Sequence, residues 1–324
     1  MTLNVAIAGP GNIAHHCLAP ALSKVRGAVL WSVLSRDSKR ALNFAKTHGA
    51  KAPNPTPVDL KAMLKDPDLD AIVIATPDKL HADQTIACAE AGKHVLVEKP
   101  MATDVGSARA MVQACETAKT CLAVAYHLRW HDGHRRLVAA IRKGKLGNLR
   151  HMRVHWTWNA GDASNWRASE EVGQWWSLAG VGTHCLDMIR WIMVPTCGEI
   201  VSIKSLISKH VWGGPHDETA TVSILFESGA TAEFYSSALF DSPCHVEIYG
   251  DRGYALCDET LGRQGKGIVQ INGKPMKFRF MNPYEGEIRD FISSIIEKRP
   301  PEVDGIEGFH NVELLERIST NSNG

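Results

Sequence analysis

The sequence predicts an α/β protein with an N-terminal doubly wound parallel sheet and a C-terminal α+β domain built on a large, mostly antiparallel, open sheet. Three observations lead to this prediction. Apolar strands alternate with helices over the first ~120 residues, a glycine-rich turn follows the first strand, and longer segments of alternating polarity take over after about residue 125. We place the boundary after residue 122, which gives domains 1–122 and 123–324.

The first domain is predicted from strands that are apolar on both faces. The strands cover residues 3–8, 29–34, 71–75, 94–97 and 121–125. The helices between and after them cover residues 12–25, 38–47, 58–64, 82–91 and 105–119. Such strands favour a parallel sheet covered by helices on both sides, and right-handed crossovers make that sheet doubly wound.

The second domain is predicted from long strands, several of which alternate apolar and polar residues. They cover residues 151–158, 200–208, 219–227, 230–239, 245–249, 268–271 and 276–280. Hairpin turns are indicated at Glu227-Ser228-Gly229 and Asn272-Gly273. The helices cover residues 133–144, 181–194, 283–298 and 305–319. We expect helices on one face of this sheet and a second subunit on the other, in a homodimer or homotetramer.

The bulk composition excludes several classes of partner. The 324 residues include 36 basic and 35 acidic side chains, so a net charge of +1 attracts neither nucleic acid nor an anionic membrane. No apolar run approaches the roughly 20 residues of a membrane helix. The eight cysteines form no C-x-x-C pair, and the first residues enter a strand without an apolar leader. We expect a cytoplasmic protein that acts on a small molecule and holds no metal.

The first turn carries a dinucleotide-binding pattern. Gly9 and Gly11 follow a strand, and Asn12 and Ile13 open a helix that continues through Ala14. The first glycine permits the tight turn, the second lets the backbone approach a pyrophosphate, and the small third residue allows helix–strand packing. Amides at the helix start then point at the phosphates. The pattern predicts a Rossmann-type cofactor site, the alternative being a tight turn that holds no ligand.

The end of the second strand favours NADP over NAD. Ser35 and Arg36 stand where a carboxylate would bind the ribose hydroxyl of NAD, and Lys39 and Arg40 add positive charge. Asp37 argues for NAD, but we expect it to cap the following helix. The alternative is that Arg36 stacks on the adenine and that both cofactors bind.

Two further strand ends contribute to the same edge of the sheet. Thr76 and Pro77 follow the third strand and are expected to touch the ribose or nicotinamide. An apolar strand then delivers Glu98 and Lys99 directly into a proline. A desolvated Lys99 can hold or donate a proton to a substrate oxygen, whereas the competing interpretation is an ion pair with Glu98. The bond from Lys99 to the proline is one that can adopt the cis form.

A second cluster surrounds a histidine at a helix start. Glycines precede His184 and Asp187, which lie three residues apart and therefore share a helix face. Histidine is the natural proton shuttle near neutral pH, and Asp187 is placed to orient the imidazole or to bind a substrate hydroxyl. The competing interpretation of His184 is a histidine satisfied within the core.

The remaining substrate candidates are aromatic or cationic. Tyr126 and Arg129 follow the last strand of the first domain and are expected to line the substrate cleft. Tryptophans are dense in the second domain, and Trp166 is the one we assign to substrate binding, since indoles pack on apolar sugar faces and donate to hydroxyls. Core packing is the competing interpretation for Trp166 and for each of the others: Trp156, Trp158, Trp175 and Trp176.

Together these motifs resemble the Gfo/Idh/MocA oxidoreductase family over nearly the whole chain. The resemblance rests on the Gly9 turn, Thr76-Pro77 with His81, Glu98-Lys99-Pro100, Tyr126 to Arg129, and Gly182 to Asp187. It implies a dehydrogenase or reductase of sugars, cyclitols or related diols, with Lys99 as the catalytic lysine and His184 as the general acid/base. We group His81 and Glu98 with the cofactor-binding residues. The chain departs from the family at Gly180, where an aspartate is usual four residues before the histidine.

Two functions from different classes remain open at this level. The leading hypothesis is an NADP(H)-dependent oxidoreductase that moves a hydride between nicotinamide and a carbinol or carbonyl carbon. The alternative is a catalytically silent nucleotide-binding sensor of the same fold, an idea that the missing aspartate allows.

Overall fold

The computed structural model describes residues 2–169 and 173–321. The chain divides into two compact units, the first holding residues 2–126 with Tyr284–Val312 and the second holding His127–Pro283 with residues 313–321. The boundary predicted from the sequence lies after residue 122, and the first stretch of the first unit ends at Tyr126. The sequence assigned residues 284–312 to the second domain, whereas the structure groups them with the first unit.

The first unit contains, within its described residues, a five-stranded parallel sheet in the order β2-β1-β3-β4-β5. The strands are β1 (Leu3–Ala8), β2 (Ala28–Leu34), β3 (Ala71–Ile74), β4 (His94–Glu98) and β5 (Leu122–Ala125). Every residue of β3 and β5 is buried, which is why the sequence reads as continuous apolar runs there. The predicted doubly wound sheet is confirmed.

Helices flank this sheet and begin at recognisable caps. A π-helical turn (Ala14–Leu18) leads into α1 (Ala19–Leu22), and the later helices are α2 (Ser38–His48), α3 (Leu60–Leu64), α4 (His81–Glu90) and α5 (Val105–Ala118). Aspartates at positions 37, 59 and 104 cap α2, α3 and α5 by accepting a backbone N–H. The helix α8 (Pro283–Glu297) adds Tyr284, Ile288, Phe291 and Ile292 to the core around β1.

The second unit contains, in its described part, an eight-stranded sheet in the order β13-β12-β11-β10-β6-β9-β8-β7. Its strands are β6 (Leu149–Thr157), β7 (Ile200–Ser208), β8 (Thr219–Phe226), β9 (Thr231–Ser237), β10 (His245–Gly250), β11 (Gly253–Asp258), β12 (Ile268–Ile271) and β13 (Lys274–Pro275). The pairing of β6 with β9 is parallel, and the other neighbours are antiparallel. Buried and exposed residues alternate along β8, as the polarity pattern predicted.

Two helices of the second unit complete the elements that position the site. They are α6 (Asp132–Arg142) and α7 (Thr183–Cys197), and a π-helical turn (Leu178–Gly182) precedes α7 directly. The final helix, α9 (Gly305–Thr320), begins in the segment grouped with the first unit.

Two strand assignments in the second unit need correction. The strand predicted over residues 276–280 is wrong. The Met276 N–H still donates to the Val269 carbonyl at 2.7 Å, but the Arg279 N–H then donates to the Asp132 side chain at 2.7 Å instead of to a neighbouring strand. The segment packs elsewhere: the Phe278 ring lies 5.2 Å from that of His131. The strand β11 was not predicted from the sequence, and a tight turn at Asp251-Arg252 returns it along β10.

Candidate active site

The turn after β1 depends on two glycines with different roles. Gly9 has a φ of +89°, and a Cβ atom there would lie 2.5 Å from the carbonyl oxygen of Ala75, so glycine alone fits. At Gly11 a Cβ atom would meet nothing within 4 Å. The backbone is therefore open to a phosphate at Gly11, directly before the helical residues Asn12 and Ile13. These residues fit the pyrophosphate of a dinucleotide.

A groove of about 440 Å³ opens beside this turn. Its walls come from the turn, the first helix and α2: Pro10, Gly11, Asn12, His15, Arg40, Asn43 and Phe44. Ile13 instead packs against the core of the first unit. The groove therefore joins open backbone at the glycine turn to a cationic side chain, Arg40, which suits a phosphorylated ligand.

The end of β2 is arranged around the cap of α2. The Asp37 carboxylate accepts the N–H of Arg40 at 3.1 Å, which confirms that it caps the helix. The Ser35 hydroxyl oxygen accepts the N–H of Asp37 at 3.2 Å. Arg36 is exposed and does not line the groove, whereas Arg40 does. Sequence reasoning emphasised Arg36, but the structure places Arg40 nearer to the glycine turn.

The turn after β3 is held in place by a hydrogen bond to the buried side chain of His81. The Thr76 hydroxyl donates to the side-chain oxygen of Gln84 at 2.7 Å, and Thr76 and Pro77 are partly exposed. The two ring nitrogens of His81 lie 2.9 Å from the carbonyl oxygens of Thr76 and Pro100. His81 has no exposed surface, so we interpret it as a support for these two turns rather than a direct cofactor contact.

Lys99 follows β4 at the same edge of the sheet. The Lys99–Pro100 peptide bond is cis, and the Lys99 N–H donates to a carboxylate oxygen of Glu98 at 3.2 Å. Glu98 is buried at the end of β4, and Glu287 of α8 is buried as well. The carboxyl oxygens of Glu287 accept no hydrogen bond from any described residue. Burial, followed by the nearby charge of Glu98, raises the pKa of Glu287 well above its usual value. Burial therefore favours the protonated, neutral form of the Glu287 carboxyl.

Hydrogen bonds to Asp217 hold the start of the helix that carries His184, and we call this set of contacts the Asp217 clamp. One Asp217 carboxylate oxygen accepts the N–H of Trp176 at 2.8 Å. The other accepts the N–H of Leu178 at 2.7 Å and the hydroxyl of Ser177 at 2.6 Å. Burial raises the pKa of Asp217, although these three donors oppose the shift. The clamp fixes the π-helical turn before α7, a backbone feature that recurs at functional sites.

Aromatic rings pack around the His184 imidazole. The His127 ring lies 4.9 Å away at 83°, and the Trp156 ring lies 5.4 Å away at 32°. His184 is buried, with 4% of its surface exposed. The sequence singled out this histidine, whereas His127 entered only within the stretch from Tyr126 to Arg129.

Arg129 and Asp187 form a buried bidentate ion pair. The Arg129 Nε–Oδ2 and Nη2–Oδ1 distances to Asp187 are 2.9 and 2.7 Å. Both side chains are almost fully buried, so each neutralises the other in a poorly solvated position. Two of the four predicted substrate-binding residues thus come together as a pair, and a further one, Tyr126, is fully buried.

The tryptophans separate into exposed and core groups. Trp166 is half exposed, and the Arg167 guanidinium lies 4.3 Å above its ring. Trp175 and Trp176 are buried in the second unit, as the core-packing alternative required. Trp166 therefore stays available for a ligand, whereas the other two do not.

Residues 2–169 and 173–321 hold neither a metal-binding cluster nor a membrane-spanning helix. No group of three or more histidine, cysteine, aspartate or glutamate side chains within them is arranged to hold a metal ion. No helix in these ranges is long and apolar enough to cross a membrane.

Two family models match the chain. One, described as an oxidoreductase family with an NAD-binding Rossmann fold, matches residues 3–126. The other, described as the GFO/IDH/MocA C-terminal domain, matches residues 134–256. The two matches together take in most of the chain, including both segments that carry the glycine turn, Lys99 and His184.

Individual proteins align over nearly the full length. The 1,5-anhydro-D-fructose reductase of Ensifer adhaerens is 26% identical over 313 residues, covering 93% of this chain and 90% of that protein. The myo-inositol 2-dehydrogenase of Thermotoga maritima is 23% identical over 316 residues, covering 94% and 92%. A crystal structure of aldose-aldose oxidoreductase from Caulobacter crescentus, complexed with glycerol, gives a TM-score of 0.92 at 24% identity, covering 99% and 98%. That structure shares the fold.

Proposed function

The chain belongs to the Gfo/Idh/MocA family of nicotinamide-dependent oxidoreductases, and on that premise we propose that it transfers a hydride between NADP(H) and a carbinol or carbonyl carbon of a sugar, cyclitol or related diol. The relatives named above are a reductase and a dehydrogenase of such compounds. They give no support to the alternative of a catalytically silent sensor.

One observation of the first unit carries this proposal. The neighbouring parallel strands β1, β3 and β4 end at one edge of the sheet. They deliver the Gly9 turn, Thr76-Pro77 and Lys99 to that edge in order. Because ligands of such sheets bind outside the carboxyl ends of the strands, a dinucleotide seated on Gly11 extends toward Lys99.

We assign the proton chemistry to two side chains. Bound NADP(H) supplies or accepts the hydride at its nicotinamide ring. The Lys99 ammonium stabilises negative charge that develops on the substrate oxygen. His184 accepts the hydroxyl proton in the oxidative direction and returns it in the reductive direction. Asp217 keeps the His184 helix start in place.

The choice of NADP rests on the groove beside the glycine turn. Arg40 lines it, Ser35 offers a hydroxyl at the end of β2, and no carboxylate other than the capping Asp37 follows that strand directly. A guanidinium binds a phosphate through charge-assisted hydrogen bonds, so the 2′-phosphate of NADP is the better fit. Calorimetric titration is expected to give a lower Kd for NADPH than for NADH.

We also propose that the sheet of the second unit forms a homodimer or homotetramer interface. Apolar side chains stand exposed on its strands, among them Leu206, Tyr249 and Tyr254. The cytoplasmic location stays a prediction from sequence. Light scattering on the eluting protein tests the association, and a monomer at micromolar concentration would contradict it.

A turnover assay tests the central assignment. Purified protein is incubated with NADPH or NADP and a panel of sugars, anhydrosugars, cyclitols and diols, and the absorbance of the reduced nicotinamide is followed. Lys99→Met and His184→Asn are each expected to lower kcat by about 10²–10⁴-fold, the range for loss of a positioned acid or base. The controls Lys79→Met and His210→Asn alter exposed side chains and are expected to leave kcat unchanged. Full activity in Lys99→Met would overturn its role.

A further inference from the structure

Two tryptophans at the end of β6 pack on the helical turn that carries His184. Trp156 and Trp158 are two residues apart, so their side chains point to the same side of the sheet. The pairing with β9 continues past the strand end, since the Trp158 N–H donates to the Ser237 carbonyl at 3.0 Å. The two indoles are therefore held side by side on a regular, paired backbone.

Each indole covers one position of the helical turn. The Trp156 ring lies 5.4 Å from the His184 ring, tilted by 32°. The Trp158 ring lies against Gly180, where a Cβ atom would be 2.3 Å from the indole Cη2. Gly180 and His184 are four residues apart and so face the same way. The indoles thus take up the space next to the acid/base histidine where a side chain at position 180 would otherwise stand.

The chemistry of this corner is apolar and aromatic. No side chain larger than hydrogen fits at Gly180 while Trp158 stays in place, so no carboxylate can approach the substrate from that position. Both indoles remain partly exposed, whereas His184 is buried. A ligand that reaches the imidazole therefore meets indole surface beside it.

We propose that Trp156 and Trp158 form a platform for the apolar C–H face of a ring substrate and so select pyranose-type rings over open-chain polyols. The inference rests on the proposed function, since it takes His184 as the group next to the reacting carbon. A flat indole complements the flat C–H face of a six-membered ring. An open-chain polyol presents such a face only after several bonds are frozen, which costs conformational entropy.

A dead-end complex tests the platform without turnover. NADPH-loaded protein cannot oxidise an alcohol, so a calorimetric titration of this complex measures binding alone. The ring probes are levoglucosan and methyl β-D-glucopyranoside, and the open-chain probes are sorbitol and xylitol. We expect the wild type to bind at least one ring probe more tightly than both open-chain probes. Trp158→Ala should raise the Kd for that ring about tenfold, the equivalent of about 1.4 kcal/mol, and Trp158→Phe should raise it less. The Kd values for sorbitol and NADPH should change less than about threefold.

Matched variants separate the platform from general damage. Trp31→Phe alters an indole of the first unit and is expected to leave the ring Kd unchanged. The proposal would be overturned if Trp158→Ala weakened the binding of ring and open-chain probes equally, or if it left the ring Kd unchanged. A wild type that does not prefer the ring probes would overturn it as well. Ring preference without any NADPH turnover would instead refute the proposed function. Turnover that persists in Trp158→Ala without a shift in ring preference refutes the platform alone.

Discussion

Gly180→Ala tests the close approach of Trp158 to the His184 helix. The added Cβ atom would lie 2.3, 2.8 and 3.0 Å from three carbon atoms of the indole, whereas ordinary contacts begin at 3.4 Å. The ring would have to shift by about 1 Å, and a rigid indole cannot bend aside as a flexible chain end can. Overpacking of this kind costs about 1–3 kcal/mol. Alanine recovers up to about 1 kcal/mol of helix propensity. With the full propensity gain subtracted, we expect a net loss of up to about 2 kcal/mol in the free energy of unfolding.

Urea unfolding followed by circular dichroism measures this loss in two backgrounds. With Trp158→Ala already present, the clash is gone, and Gly180→Ala should be neutral or stabilise by up to about 1 kcal/mol. Gly262→Ala is the control, because a Cβ atom there meets nothing within 4 Å, and it should change stability by less than about 0.5 kcal/mol. Gly180→Ala that stabilises the wild type, or that behaves alike in both backgrounds, would refute the proposed contact.

Three further predictions concern buried and cofactor-facing charges. The pKa of Glu287 is raised in the folded state, so binding of its proton stabilises the folded protein. This stabilisation is complete below the unfolded pKa of about 4.3. The stabilisation is lost as the pH rises through the folded pKa. Glu287→Gln should therefore become more stable than the wild type as pH rises, in urea titrations at about pH 5 and pH 9. Asp187→Asn leaves the Arg129 guanidinium buried beside a neutral amide and should cost about 3–5 kcal/mol in unfolding free energy by the same method. Arg40→Ala should raise the calorimetric Kd of NADPH about tenfold and that of NADH little.

Nearby residues provide the controls for these predictions. Glu285→Gln changes a carboxylate on the same helix that pairs with Lys24, and it should show no gain in stability as pH rises. Lys46→Ala removes a cation from α2 away from the groove and should leave both Kd values unchanged. The first prediction is contradicted if the stability difference between Glu287→Gln and the wild type does not change with pH. The second is contradicted if Asp187→Asn lowers the free energy of unfolding by less than about 1 kcal/mol. The third is contradicted if Arg40→Ala weakens the binding of NADPH and NADH equally.

Much of the fold follows from local pattern. The apolar runs of β3 and β5, the Asp37 cap of α2 and the alternation along β8 are properties of short segments, and each was predicted from the sequence. Prediction failed where the structure of a segment depends on which distant segment of the chain it pairs with. Residues 276–280 look like a strand, but after Met276 the backbone turns to the Asp132 side chain, which accepts the Arg279 N–H. The strand β11 was missed because its pairing with β10 depends on the tight turn at Asp251-Arg252.

The sequence by itself determined the chemical groups available: the glycine turn, the lysine at a strand end and the histidine at a helix start. Each is encoded within a few residues, because backbone conformation and strand ends are local properties. Only the tertiary structure decided what surrounds them. It paired Arg129 with Asp187 across 58 positions of sequence, buried Glu287 near Glu98, and placed the Trp158 indole on Gly180. These contacts arise when distant segments pack into one core, so burial and neighbouring charge, which tune a site, are fixed only by the folded chain.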